Sequence, residues 1–246
     1  MSELAKTMLL LRKDLRGVYR DRLLLVLCIY PLVLAGLVRL AIPYVPIDQI
    51  GTILAPFAIM SGGTLLGTVV GFSLIEERER RTWLLLRVVP LGSGTFFAYL
   101  AASTSAIAFT TSLGAAAILA LPVASLLELV WMTLLASLSA PLLTLLLASF
   151  ASNKIEGLAV SKILSASLML PALVFAVPAH WQWLLWWNPL YWTYLGLLRA
   201  FAGPADAAAL PLVWPDLPII WFTVAPLAIF ALGFAALVRL FRRRAS

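Results

Sequence analysis

Three carboxylates fall within one short stretch, at Glu76, Glu77 and Glu79. Clustered acids of this kind can serve acid–base work or hold a cation. Here Arg78, Arg80 and Arg81 are interleaved with them, so mutual salt pairing is the simplest chemistry for the group. The remaining inventory is thin. His180 is the single histidine and lies among tryptophans, which suits an interfacial ring better than a base or ligand. Cys28 is the single cysteine; it sits in an apolar run and reads as a small core hydrophobe. No His or Cys cluster has the spacing of a metal site. No H-E-x-x-H occurs, and no G-x-x-x-x-G-K-[ST] offers a loop to cradle phosphate. Glu128 stands between apolar runs and reads as an interfacial residue in a tight turn. A proton-carrying role for it finds no visible partner, and the paired intramembrane acids of a proton-driven pump are missing.

The elements that must carry these residues are membrane-spanning helices. The 246 residues are 63% hydrophobic and only 12% charged. Mean hydropathy is +1.01. A soluble domain carries about 25% charged residues. No stretch is long and polar enough for a second domain, so residues 1–246 read as one all-α transmembrane domain. The net charge of +7 belongs to residues beside apolar spans, where orientation and anionic lipid explain it better than nucleic acid does. No cleavable signal peptide is evident.

Residues 1–22 place Leu4, Met8, Leu11, Leu15 and Val18 at helical spacing, with Lys6, Arg12, Lys13, Arg16 and Arg20 between them. This predicts an amphipathic helix on the membrane surface or on a partner. Spans are predicted at about 23–41, 50–75, 95–121, 129–150, 158–177 and 217–238, each near the 20 apolar residues a bilayer requires. The second span is dense in small residues from Ser61 to Gly71, which suits close helix packing. Residues 76–94 form a charged loop between two uncharged spans, and SNKIEG at 152–157 forms a shorter one. Residues 178–218 hold Trp181, Trp183, Trp186, Trp187, Trp192 and Trp214, and Asn188-Pro189 interrupts them. They predict short helices dipping into the outer leaflet or lying on it, with a single further span as the alternative. Placing both termini and the two charged loops on one side puts 16 of 18 basic residues there, leaving Arg39 and Arg199 opposite. That side is therefore cytoplasmic, and the expected fold has six spans.

The loop EERERRTWLLLRVVPL resembles the coupling segment of the ABC-2 class of ABC transporter permeases, approximately E-R-E-x-G-T-L-E-L-L-L-x-x-P-L. Glu77, Arg78, Glu79, Thr82, Leu85, Leu86, Pro90 and Leu91 stand at matching places; Arg81, Leu84 and Arg87 depart from it. Asn188-Pro189 with Leu198-Arg199-Ala200 resembles that family's N-P-x-x-[YF]…x-x-R-A segment before the last span. The surface helix and six-span layout agree along the whole chain. SNKIEGLAVSK and the short outer loops resemble a bacterial subgroup of drug or fluoroquinolone export permeases.

The resemblance implies a multi-pass permease subunit in a bacterial inner membrane, with both termini cytoplasmic. It implies a second permease subunit, like or unlike, and separate ABC subunits that bind ATP and Mg; no cofactor is expected in this chain. Glu76, Glu77, Arg78, Glu79, Arg80, Arg81 and Thr82 would then couple to the ATPase. The second and fifth spans would line the path. In the second, Met60, Thr64, Thr68 and Phe72 recur every four residues and share roughly one face, which suits an amphipathic guest; a helix-packing face explains the same pattern. Export of haem, lipid or polysaccharide is the alternative within the transporter class. A membrane enzyme acting on lipid would need an acid, His or metal constellation that is not visible, and a non-transport scaffold would share the hydropathy.

Overall fold

The computed structural model describes residues 22–44, 50–79, 93–175, 177–208 and 218–245. The surface helix expected before Arg22, Arg80 to Gly92 of the charged loop, and residues 209–217 lie outside them. The described residues are helical: α1 Arg22–Ala41, α2 Ile50–Glu79, α3 Ser93–Leu119, α4 Leu126–Ser137, α5 Ser139–Phe150, α6 Lys154–Met169, α7 Pro189–Ala208 and α8 Ile219–Ala245. Short 3-10 turns follow α1 at Ile42–Tyr44, follow α6 at Leu170–Phe175, and precede α7 at Ala179–Leu185. Among the described residues, four apolar helical stretches are long enough to cross a membrane: Ile53–Glu79, Thr95–Leu119, Leu126–Phe150 and Ile219–Phe241; Ile29–Tyr44 is a shorter apolar helix. The protein is thus a multi-helix membrane protein.

α2 is the central post. Its 30 residues make a rod of about 45 Å, longer than the roughly 30 Å of bilayer hydrocarbon. It packs against α1, α3, α5, α6 and α7. The glycines make this possible. A Cβ on Gly67 would stand 2.5 Å from the carbonyl oxygen of Ala140, and one on Gly63 would collide with Ser139. Close approach also lets neighbours bond to the post's carbonyls. Ser112 of α3 donates to Ile59 O at 2.7 Å, Thr144 of α5 to Gly67 O at 2.9 Å, and Tyr194 of α7 to Ile53 O at 3.0 Å. In lipid such bonds supply part of the specificity that hydrophobicity cannot.

The expected fourth span is built in two pieces. Pro141 has no N–H for the carbonyl of Ser137, and the helix breaks at Leu138, whose N–H turns to Leu135 O instead. α3 ends at Leu119, slightly before the expected Leu121, and Ala120 takes a left-handed φ of 48°. α8 shows most of one side outward, with Ile220, Trp221, Val224 and Leu232 exposed as a lipid-facing helix requires.

Asn188-Pro189 starts a helix rather than interrupting one. Asn188 Oδ1 accepts the N–H of Leu190, and proline suits the first helical position. The tryptophans divide. Trp181, Trp183 and Trp187 are exposed, while Trp192 is buried and donates from Nε1 to Trp186 O. Residues 190–198 of α7 are buried throughout, in contact with early residues of other helices: Ile53 and Phe57 of α2, Met132 of α4 and Phe222 of α8. α7 therefore sits at the Ile50 end of the bundle.

Candidate functional site: a clamped post and its cavity

At the Glu79 end, the charged stretch begins as the last turn of α2, so the helix runs past the expected end of the span at Ile75. Its neighbours explain why. α5 ends beside it with unsatisfied carbonyls, and α6 begins beside it with unsatisfied N–H groups. Arg78 is half-buried and donates to Ala148 O and Ala151 O at the end of α5. Glu79 Oε1 accepts the N–H of Lys154, the first residue of α6, at 2.9 Å. Adjacent residues of opposite charge thus serve helix termini of opposite polarity. Lys154 Nζ returns to Glu76 Oε2 at 3.0 Å. Among the described residues, the cluster reaches across to α5 and α6, contacts that the sequence expectation of mutual salt pairing did not include.

The α5–α6 turn is capped from within as well. Asn153 Oδ1 accepts the N–H of Glu156 at 2.9 Å, and the Glu156 carboxylate accepts from Ser152 N–H and Asn153 Nδ2. This is capping-box chemistry, so α6 starts at Lys154, inside the expected loop. The Ser152 N–H, foremost, holds the Glu156 carboxyl below its ordinary pKa. Glu77 is exposed. Arg80, Arg81 and Thr82 lie outside the described residues.

Further along α2, a cavity of about 170 Å³ lies between α1, α2, α5 and α6. Ser61, Thr64, Thr68 and Phe57 of α2 line it, with Tyr30 of α1 and Ser165 of α6. Of the expected face, Thr64 and Thr68 are here. Met60 is fully buried in the core instead, and Phe72 packs with Ile75, Leu147 and Gly157. The reason is angular. Four residues turn a helix by about 400°, so a strict spacing of four drifts about 40° per step and the ends of the series leave the face. The run Phe57, Ser61, Thr64, Thr68 alternates four, three, four and stays on it. That alternation was the available signal for Phe57 and Ser61; the residues from α1, α5 and α6 left none.

At the Ile50 end, Glu128 in the first turn of α4 meets Arg199 of α7, Nε to Oε2, at 3.4 Å. Ala200 O accepts the N–H groups of Ala124 and Ser125 on the same turn. Arg39 of α1 donates to Ile118 O at the end of α3. Both arginines on the basic-poor side therefore hold the α3–α4 connection, and Glu128 has the partner that sequence did not reveal.

Residues 14–232 match the family model described as Rv2686c-like, fluoroquinolones export permease protein. The chain belongs to that family. It is 30% identical over 196 residues to the fluoroquinolones export permease proteins MT2760 and Rv2686c of two Mycobacterium tuberculosis strains, covering 74% of this chain and 77% of each relative. The family is one of membrane export permeases, so a transport subunit and not an enzyme is the frame for the clamp and cavity.

Proposed function

We propose that the chain is the membrane-spanning subunit of an ATP-driven exporter that carries an amphipathic small molecule, of the fluoroquinolone type, out of a bacterial cell. Two such subunits form the path, and separate subunits bind ATP and Mg and dock at Glu76–Thr82. The chain crosses the cell membrane six times with both termini cytoplasmic, and residues 178–218 lie at the outer leaflet. The names of its relatives support the cargo. The observation that carries the mechanism is the continuity of α2, which runs unbroken from the cavity at Ser61, Thr64 and Thr68 to the clamp at Glu76–Glu79. A push at the clamp reaches the cavity through one rigid rod, and the attached α5–α6 turn moves with it.

Co-purified with its ATPase partner, the chain should show fluoroquinolone-stimulated ATP hydrolysis and should load inverted vesicles with the drug. Glu77→Arg should abolish the stimulation and leave the chain in the membrane. Normal coupling in that variant removes the docking role. ATP hydrolysis by the chain alone overturns the assignment, since it has no phosphate-cradling loop.

A further inference from the structure

The cavity's polarity is set by hydrogen bonds its hydroxyls have already made. Ser61 Oγ lies 2.7 Å from Ala58 O, Thr68 Oγ1 lies 2.8 Å from Thr64 O, and Thr64 Oγ1 lies 3.3 Å from Ser61 O. A carbonyl can only accept, so in each pair the hydroxyl donates. Three cavity-lining side chains thus have their hydrogens committed to their own helix, and their remaining capacity is acceptor lone pairs. Among the described residues no lining side chain carries a formal charge, and the rings of Tyr30 and Phe57 complete the wall. Such a wall favours N–H donors and cations over ring faces. A carboxylate would find hydroxyl donors only at the open side, from Tyr30 and Ser165, and none from Ser61, Thr64 or Thr68, so entry beyond that rim desolvates it without compensation. Drug-sized sites span about 300–1,000 Å³. At about 170 Å³, this cavity holds one end of such a molecule.

We propose that the cavity formed by Tyr30, Phe57, Ser61, Thr64 and Thr68 is a subsite for the amine end of an amphipathic guest, and that it excludes the acidic end. The proposal rests on the export reading for its biological use but concerns binding alone. On entry, the guest's N–H groups replace lost hydration with the three hydroxyl oxygens, and its apolar body remains toward the open side, where Tyr30 and Ser165 are exposed.

Three probes of similar bulk test it against the full-length protein in nanodiscs: 1-naphthylmethylamine, 1-ethylnaphthalene and 1-naphthylacetate. Each is corrected for partition into protein-free discs. The amine should bind at least about tenfold more tightly than the carboxylate, the scale of one hydrogen bond to a charged group. Thr68→Val keeps the shape and removes the acceptor; it should weaken the amine about threefold or more and leave ethylnaphthalene unchanged. Thr68→Phe fills the space and should abolish saturable binding of the amine. Equal or tighter carboxylate binding overturns the proposal, as does a Thr68→Val change that weakens all probes alike. Selective amine binding without export of any amphipathic amine by the assembled transporter would retain the subsite and remove the export reading. Export indifferent to both variants and to the amine would do the reverse.

Discussion

The two ends of the helix bundle are fastened by different chemistry. At the Glu79 end, charges from one helix cap the termini of two others, and each carboxylate or guanidinium has water or backbone nearby. At the Ile50 end, one ion pair joins Glu128 to Arg199, with both side chains only about a fifth exposed, 21% and 19%. Exposed pairs contribute roughly 0–1 kcal/mol each, whereas leaving half of a buried pair behind costs several. The Glu79 end can therefore shift in small steps, since no single contact there dominates. At the Ile50 end the part-buried ion pair stands beside bonds to backbone carbonyls of Ala200 and Ile118, and it is the contact whose one-sided loss costs most. Under the proposed export reading, that difference would put the adjustable joint beside the ATPase and the stronger fastening at the far side.

Breaking the Glu128–Arg199 pair from one side should have the largest effect. Arg199→Ala leaves the Glu128 carboxylate partly buried beside an apolar helix and should cost about 2 kcal/mol of stability, discounted for the residual exposure. Thermal melting of the purified protein reads this loss. Adding Glu128→Gln to Arg199→Ala should restore part of it, because the stranded charge is gone; no recovery would mean that the pair is not what fastens this end.

Arg78→Gln comes next. It removes the cation from the last carbonyls of α5 and should cost about 1 kcal/mol. Lys154→Gln should cost less than the Arg78 change, because its pair with Glu76 is exposed at 51% and 34%. Melting in high salt should narrow the gap between Lys154→Gln and the parent protein and leave the Arg78→Gln gap largely intact. A larger loss from Lys154 than from Arg78 would reverse the ranking of contacts at this end.

The long apolar helices were legible because charge is absent between Gln49 and Ile75 and between Val88 and Leu127. The charge cluster was legible for the same reason in reverse. What escaped was whatever depends on two distant segments meeting. Glu128 and Arg199 lie far apart in the chain, and nothing local to either announces the other. Arg78 reads from sequence as part of a docking surface; its bonds to the end of α5 depend on a distant segment and were not legible. The break at Leu138 was hidden because Pro141 sits in an apolar run of the kind membrane helices tolerate. The cavity face was half legible, since a spacing of four holds for two residues and fails for four.

The account depends most on the two ends lying at opposite membrane faces, with the clamp inside the cell. Single cysteines at Ala124 and Ile155, both exposed, placed in a Cys28→Ser background, test this directly with an impermeant thiol reagent on intact cells. Ala124→Cys should be labelled from outside, and Ile155→Cys only after permeabilisation. Labelling of both from the same side, or the reverse pattern, would contradict the account.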